Sequence, residues 1–306
     1  MIKHTIEISS APVHLATEHR QLLLKRDGQV VSRMACEDVG MVVVDHPATT
    51  YSHGALRALM ESDAAVVVCG QDHLPSGILL PLADHSEVVW RVDLQLAVSR
   101  PLKKRLWQQI VAAKIRAQAE NLAGAPAAQH RLLAFASEVR SGDTTHREAQ
   151  AARVYWQHWL LSEDADAPVT DERFRRMRDG VAPNSLLNYG YAILRAALAR
   201  ALVAAGLLTA LGIQHRHRAN AFCLADDLIE PLRPIVDRRV RELHWVGQTD
   251  LDQPTKAALL ELLTLQTATA DDAHGPLMVS LHRYVGSLVR SYETKTPTLE
   301  IPRSCE

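Results

Sequence analysis

The chain has 306 residues, which at roughly 150 per domain suggests two domains and a core large enough to need neither disulfides nor structural metal. Hydrophobic residues make up 47% and charged residues 23%, a composition that excludes intrinsic disorder, collagen-like repeats and disulfide scaffolds. The net charge of −1 hides a split: residues 1–90 hold 6 basic and 11 acidic side chains, residues 91–306 hold 28 and 24, so an anionic partner should meet the second part.

The first ~90 residues read as strands. Alternation or short apolar runs mark 3–9, 21–25, 29–33, 41–44 and 65–69. Turn signals separate them at Asp27-Gly28, Asp45-His46-Pro47, Gly70 and Pro75-Ser76-Gly77. One helix interrupts, over 52–60, with Leu56, Leu59 and Met60 on one face. From Pro101 the apolar period changes to about 3.6. A helix over 103–119 carries Leu106, Ile110, Ala113 and Ala117 as its stripe, and residues 123–126 punctuate it. Further helical patterns cover 130–140, 146–161, 172–178, 185–211, 222–243, 254–266 and 277–291. Pro297, Pro302 and the polar end read as a frayed tail. The expected fold class is α+β: a small, mainly β N-terminal domain over 1–90, a linker over 91–100, and a larger all-α helical domain over 101–306.

Four cysteines at 36, 69, 223 and 305 make no CxxC pair, which argues against a zinc ribbon and suits a reducing, cytoplasmic setting. Lys3, His4 and Glu7 break any secretory signal at the start of the chain. The most apolar stretch, 186–213, contains Arg195 and Arg200, so it reads as buried core helix rather than a membrane span. P-loop, dinucleotide-binding, HExxH and GxSxG motifs are absent.

Three places carry unusual chemistry. Glu148 lines up with Ala152, Tyr155 and Trp159 on one helical face, in register with a core-facing stripe. A carboxylate there needs a cationic partner or a metal, unless it simply favours the first turn of its helix. The stretch 212–220 is a loop in which Gly212 ends one helix and Asn220 caps the next. His215 and His217 in this loop either present an imidazole to a divalent ion or are merely solvated. Arg216 and Arg218 beside them either suit phosphate or are ordinary surface charge. In the third place, Leu224, Leu228 and Leu232 mark a buried face, leaving Asp227 and Glu230 close together on a neighbouring one. Pro231 and Pro234 demand a helix start or a kink there. These acids either compensate a helix dipole or hold a metal.

Taken together, Arg100-Pro-Leu-Lys-Lys-Arg-Leu-Trp-Gln-Gln-Ile-Val-Ala-Ala-Lys-Ile, Glu148 to Trp156, Pro183-Asn-Ser-Leu-Leu-Asn-Tyr-Gly-Tyr191 and Leu211 to Asp237 resemble the CRISPR-associated spacer-acquisition integrases (CRISPR-associated protein one). The resemblance is closest to the branch that accompanies type II systems and covers roughly 100–240. It implies a metal triad that falls on Glu148 (before AxxAxxYW), His215 (after Leu-Gly-Ile-x) and Asp227 (in Asp-Leu-Ile-Glu-Pro). Relatives often show adjacent histidines where this chain has Gln214-His215, which makes His217 the competitor; Glu230 is an alternative or supporting carboxylate. Two carboxylates and one imidazole suit Mg²⁺ or Mn²⁺, the histidine tilting towards Mn²⁺.

The implied activity is metal-dependent DNA endonuclease and integrase chemistry, inserting short foreign DNA into a CRISPR array by attack of a 3′-hydroxyl on a phosphodiester. The implied partners are double-stranded DNA, a second copy of the chain through the β domain, the small second acquisition protein and the type II RNA-guided effector nuclease; no membrane is expected. Candidate DNA contacts are Lys103, Lys104 and Arg105, then Arg173, Arg175, Arg176 and Arg178, with Arg195, Arg200, Arg238, Arg239 and Arg241 behind them. The alternative from a different class is a non-catalytic helical scaffold that binds DNA or protein.

Overall fold

The computed structural model describes residues 3–82, 85–160, 174–177, 180–269 and 273–305. The N-terminal part is built on two four-stranded sheets. Strands β1 (His4–Ile8), β2 (His14–Glu18), β3 (Gln21–Arg26), β4 (Gln29–Ala35), β5 (Val39–Val44) and β6 (Thr50–Tyr51) lead into helix α1 (His53–Glu61), then β7 (Ala65–Cys69) and β8 (Pro75–Leu79). One sheet has the order β4-β3-β2-β6 and the other β1-β5-β7-β8. Asp27 and Gly28 both adopt positive φ, which closes the β3–β4 hairpin with the right-handed twist that a two-residue turn requires. Ser52 caps α1 by accepting the Ala55 N–H at 3.1 Å. The stretch 75–77 is not a turn, as the sequence suggests, but opens edge strand β8.

Strand β5, Val-Gly-Met-Val-Val-Val, is buried along its whole length and pairs in parallel with β1 and β7. Successive side chains of a strand point to opposite faces. Val42, Val44 and Val66 therefore join Leu15, Leu22, Ala55 and Leu59 in an N-terminal core. Met41, Val43, Ala65 and Val67 belong to the helical core instead. The buried pair of Lys256 and Asp45 adds a polar tie between the two parts.

Residues 91–100 run through helix α2 (Val88–Ala97) and its junction with α3 (Arg100–Glu120). Then come α4 (Pro126–Ser137), α5 (Arg147–His158), the central α6 (Asn184–Ala204), α7 (Cys223–Ile229), α8 (Arg233–Trp245), α9 (Gln253–Leu260) and α10 (Leu277–Thr294). α6 is buried on nearly every face, and Gly190 lets it approach α8: a Cβ there would lie 2.4 Å from Val236. The expected single helix over 222–243 is broken by Pro231, with the 3-10 turn Glu230–Leu232 between α7 and α8. α6 ends earlier than its apolar pattern, at Gly206 in a left-handed conformation rather than at Gly212. Phe222, not Asn220, is the N-cap of α7; the Asn220 side chain accepts the Phe222 N–H and donates to Asp226. Residues 174–177 are not helical, and Phe174 packs on Trp156 and Trp159; the rest of 172–178 lies outside the described residues.

The helical part also holds a small three-stranded sheet of β9 (Gln266–Ala268), β10 (His274–Pro276) and β11 (Arg303–Ser304). The tail is pinned rather than frayed. β11 pairs with β9, Leu299 and Ile301 pack on the core, and Ser287 Oγ accepts the Glu300 N–H. None of the described helices is long and apolar enough to cross a membrane.

Candidate active site

Asp227 sits on α7 and is fully buried. Both of its oxygens are saturated by the loop that follows Gly212. Oδ2 accepts the Ile213 and Gln214 N–H groups at 2.6 and 2.9 Å. Oδ1 accepts the His215 N–H at 3.1 Å and the His215 Nδ1 at 2.6 Å. Gly212 makes this possible, because a Cβ there would come within 2.3 Å of the His215 carbonyl oxygen and 2.9 Å of Asp227 Oδ2. The hydrogen bond to Asp227 holds the His215 imidazole above the ordinary histidine range, against the opposing effect of burial. Trp107 of α3 stands edge-on to the ring at 5.9 Å. The carboxylate thus orients the imidazole and fixes which nitrogen faces away from it.

Glu148 enters from α5. Asp143 holds the start of that helix: its two carboxylate oxygens accept the Arg147 and Glu148 N–H groups at 2.8 and 3.1 Å. Tyr155 and Trp159 are buried as the sequence suggests, but Ala152 is only half-buried, and Ala151 and Val154 complete the buried face. Glu148 and His215 line one cleft together with Trp107, His146 and Arg216. The partner of Glu148 is Lys114 of α3, at 2.6 Å, and the same ammonium lies 2.5 Å from Glu230 in the 3-10 turn. Arg233 reaches the other Glu230 oxygen at 3.0 Å. Burial alone would neutralise Lys114, but Glu230 and Glu148 more than offset it and hold the ammonium above its usual range. Burial likewise opposes charge on Glu230, and Lys114 and Arg233 outweigh it and lower its pKa.

The structure therefore brings Glu148 and His215 into one cleft and locks Asp227 onto His215. It places Glu230 beside Glu148 through Lys114. His217 stays in the exposed part of its loop, where its Nδ1 meets the Ala219 N–H at 3.4 Å. In this arrangement no group of three or more His, Cys, Asp or Glu among the described residues is close enough to hold an ion. The donor set nevertheless fits a divalent cation. Two carboxylates and an imidazole are donor types that Mg²⁺ or Mn²⁺ accepts, and each carboxylate already has a positive or proton-bearing neighbour, the Lys114 ammonium on Glu148 and the His215 imidazole on Asp227, which an ion would have to replace. Lys114 and Asp143 were not legible as site residues. The available signals were a lysine at 114 between Ala113 and Ile115, and an aspartate four residues ahead of the α5 start.

The basic candidates divide. Lys104, Arg105 and Arg175 are exposed. Lys103 Nζ donates to the Gly212 carbonyl at 3.4 Å, and burial, then Arg216, lowers its pKa. Arg176 donates to Asn188 at 2.6 Å and lies over the Tyr191 ring, and Arg195 pairs with Asp226 at 2.6 Å, so both are tied into the fold. Arg173 and Arg178 lie outside the described residues.

Comparison with known proteins places these features in a lineage. Residues 6–261 match the family model described as CRISPR associated protein Cas1. The chain is 39% identical over 277 residues to the CRISPR-associated endonuclease Cas1 of Neisseria meningitidis serogroup C (strain 8013), spanning 89% of this chain and 87% of that one. In fold it is similar to a casposase bound to integration product, with a TM-score of 0.75 and 17% identity over 98% of this chain and 93% of that one. It is also similar to a chain of a Cas6-RT-Cas1–Cas2 complex, with a TM-score of 0.75 and 19% identity over 98% of this chain and 36% of that one. The mainly β start, the helical remainder and the family match over most of the chain lead to one conclusion: this protein belongs to the Cas1 family.

Proposed function

We propose that the chain is a divalent-metal-dependent DNA endonuclease and integrase that inserts short foreign DNA into a CRISPR array. The observation that carries this reading is the convergence of Glu148 and His215 on one cleft, with Asp227 locked onto the imidazole, in a member of the Cas1 family. Glu148 and His215 would hold Mg²⁺ or Mn²⁺, with Glu230 in support and Asp227 joining them by giving up one of its loop hydrogen bonds. The bound ion would supply charge stabilisation at the phosphodiester under attack by a DNA 3′-hydroxyl or by water. Asp227 orients His215 through Nδ1, and Asp143 fixes the α5 turn that presents Glu148. Exposed Lys104, Arg105 and Arg175 supply phosphate contacts, and Arg216 at the cleft steers the strand towards Glu148.

The relative known from a Cas6-RT-Cas1–Cas2 complex supports assembly with a Cas2-like small acquisition protein. Pairing of two copies through residues 1–90, action on double-stranded DNA in the cytoplasm and cooperation with a type II RNA-guided nuclease complete the proposal.

The test is strand transfer of a short duplex with free 3′-hydroxyls into a supercoiled plasmid carrying a CRISPR repeat. It is run with Mn²⁺ or Mg²⁺ and with or without the small partner. Joining that requires metal and is lost in Glu148→Ala is expected. Cutting without joining would reduce the reading to a nuclease. No reaction under any condition would favour the scaffold alternative.

A further inference from the structure

Lys114 bridges two carboxylates from different elements. Its Nζ is 2.6 Å from Glu148 Oε1 on α5 and 2.5 Å from Glu230 Oε2 in the 3-10 turn. The two acids are not equivalent. Glu230 is buried and has a second cation, Arg233, on its other oxygen at 3.0 Å. Glu148 is partly open and faces the cleft that His215 shares, and among the described residues its ion pair is to Lys114.

We propose that Lys114 is a built-in counter-cation that occupies the Glu148 carboxylate until a divalent ion displaces it, and that it thereby sets the affinity of the site for that ion. This rests on the metal-site reading above. An ammonium and a divalent ion compete for the same oxygen, and a positive charge at bonding distance repels the incoming one. The lysine stem is flexible enough to let its head group withdraw from Glu148. Glu230 keeps the ammonium paired when it does so, and no buried charge is stranded by the exchange. The duplication of carboxylates around one lysine thus has a division of labour: Glu230 retains the ammonium and Glu148 releases it.

The test is calorimetric titration of Mn²⁺ into the full-length protein, which reads ion uptake without turnover. Lys114→Met removes the charge and keeps the unbranched stem, one atom shorter; it is expected to bind Mn²⁺ about tenfold tighter or more. Lys114→Arg keeps the charge and is expected to restore an affinity close to that of the unaltered protein. Glu148→Gln is expected to abolish uptake. Equal or weaker binding by Lys114→Met, with uptake still dependent on Glu148, would overturn the role of the lysine and leave the metal site standing. No uptake by the unaltered protein, or uptake indifferent to Glu148→Gln, would overturn the metal site and the proposal with it. Lys114→Met leaves Glu230 with one cation fewer; should it fail to fold, Lys114→Met with Glu230→Gln is compared with Glu230→Gln alone. The double variant is then expected to bind Mn²⁺ tighter than the single one, and equality would again refute the proposal.

Discussion

Gly212→Ala is the sharpest test of how His215 is held. A Cβ at this position would lie 2.3 Å from the His215 carbonyl oxygen, 2.9 Å from Asp227 Oδ2 and 3.1 Å from Cys223 Cβ. Neither the backbone oxygen nor the buried carboxylate can swing aside, so the loop must lift. Lifting it loosens the bonds from Ile213, Gln214 and His215 to Asp227, a carboxylate buried away from solvent. Hydrogen bonds to a charged group contribute about 1.5–3 kcal/mol each, and overpacking costs about 1–3 kcal/mol. Because the loop can retreat part of the way, a loss of about 3–5 kcal/mol is expected rather than the full sum. At roughly 1.6 °C per kcal/mol for a chain of 306 residues, the melting temperature should fall by about 5–8 °C. Strand transfer should fall with it, since the imidazole loses its fixed orientation. Thermal denaturation beside Gly77→Ala, where a Cβ meets nothing within 4 Å, supplies the control. A Gly212→Ala protein that melts within about 2 °C of the unaltered one and retains strand transfer would refute the anchoring argument.

Asp143→Ala removes the cap on α5 and should cost about 1–2 kcal/mol in denaturant unfolding, with strand transfer reduced more than stability because Glu148 sits in that first turn. Asp237 is buried among Tyr155, Tyr191 and Arg233, and burial pushes its pKa from 3.8 to about 6. The native state therefore binds this proton more tightly; its contribution is complete below pH 3.8 and lost as the pH rises through about 6. Asp237→Asn should gain on the unaltered protein by about 2 kcal/mol between pH 4 and 7, read as the change in the stability difference across that window. A constant difference would remove the buried acid from the account. Truncation after Pro297 strips Leu299, Ile301 and β11 from the core and should cost about 3–5 kcal/mol by denaturant titration. No loss would mean that the tail is packed without being needed.

The strands of 21–26, 29–35 and 65–69 were legible because alternation and a two-residue turn are local signals. Edge strand β8 was not, since Pro75, Ser76 and Gly77 are turn formers whose conformation here is set by pairing with β7. The end of α6 was missed because its apolar pattern runs on into 207–213, where burial comes from loop packing rather than from a helix. At the site, Glu148, His215 and Asp227 were singled out by the family resemblance, since the residues by themselves left a helix-dipole or solvated reading open at each. Their distinct geometry was not legible: that Asp227 bonds the loop before its helix follows from a contact 12 residues apart, and that Glu148 meets an ammonium follows from packing of α3 on α5, 34 residues apart in the chain. Lys114 is one of several basic residues on α3, and only the packing of Glu148 and Glu230 around it sets it apart.

Strand β5 has consequences for heredity as well as for packing. Its odd and even positions answer to different neighbours, Met41 and Val43 to the helices and Val42 and Val44 to the other sheet. A substitution at one parity calls for compensation in one half of the gene, and a substitution at the next residue calls for it in the other half. A fragment cut near residue 90 would turn the odd-numbered face, with Ala65 and Val67, out into water, a sticky plane that favours aggregation. Recombination that joined a foreign first half to this second half would have to match the face that Met41, Val43, Ala65 and Val67 present to the helices.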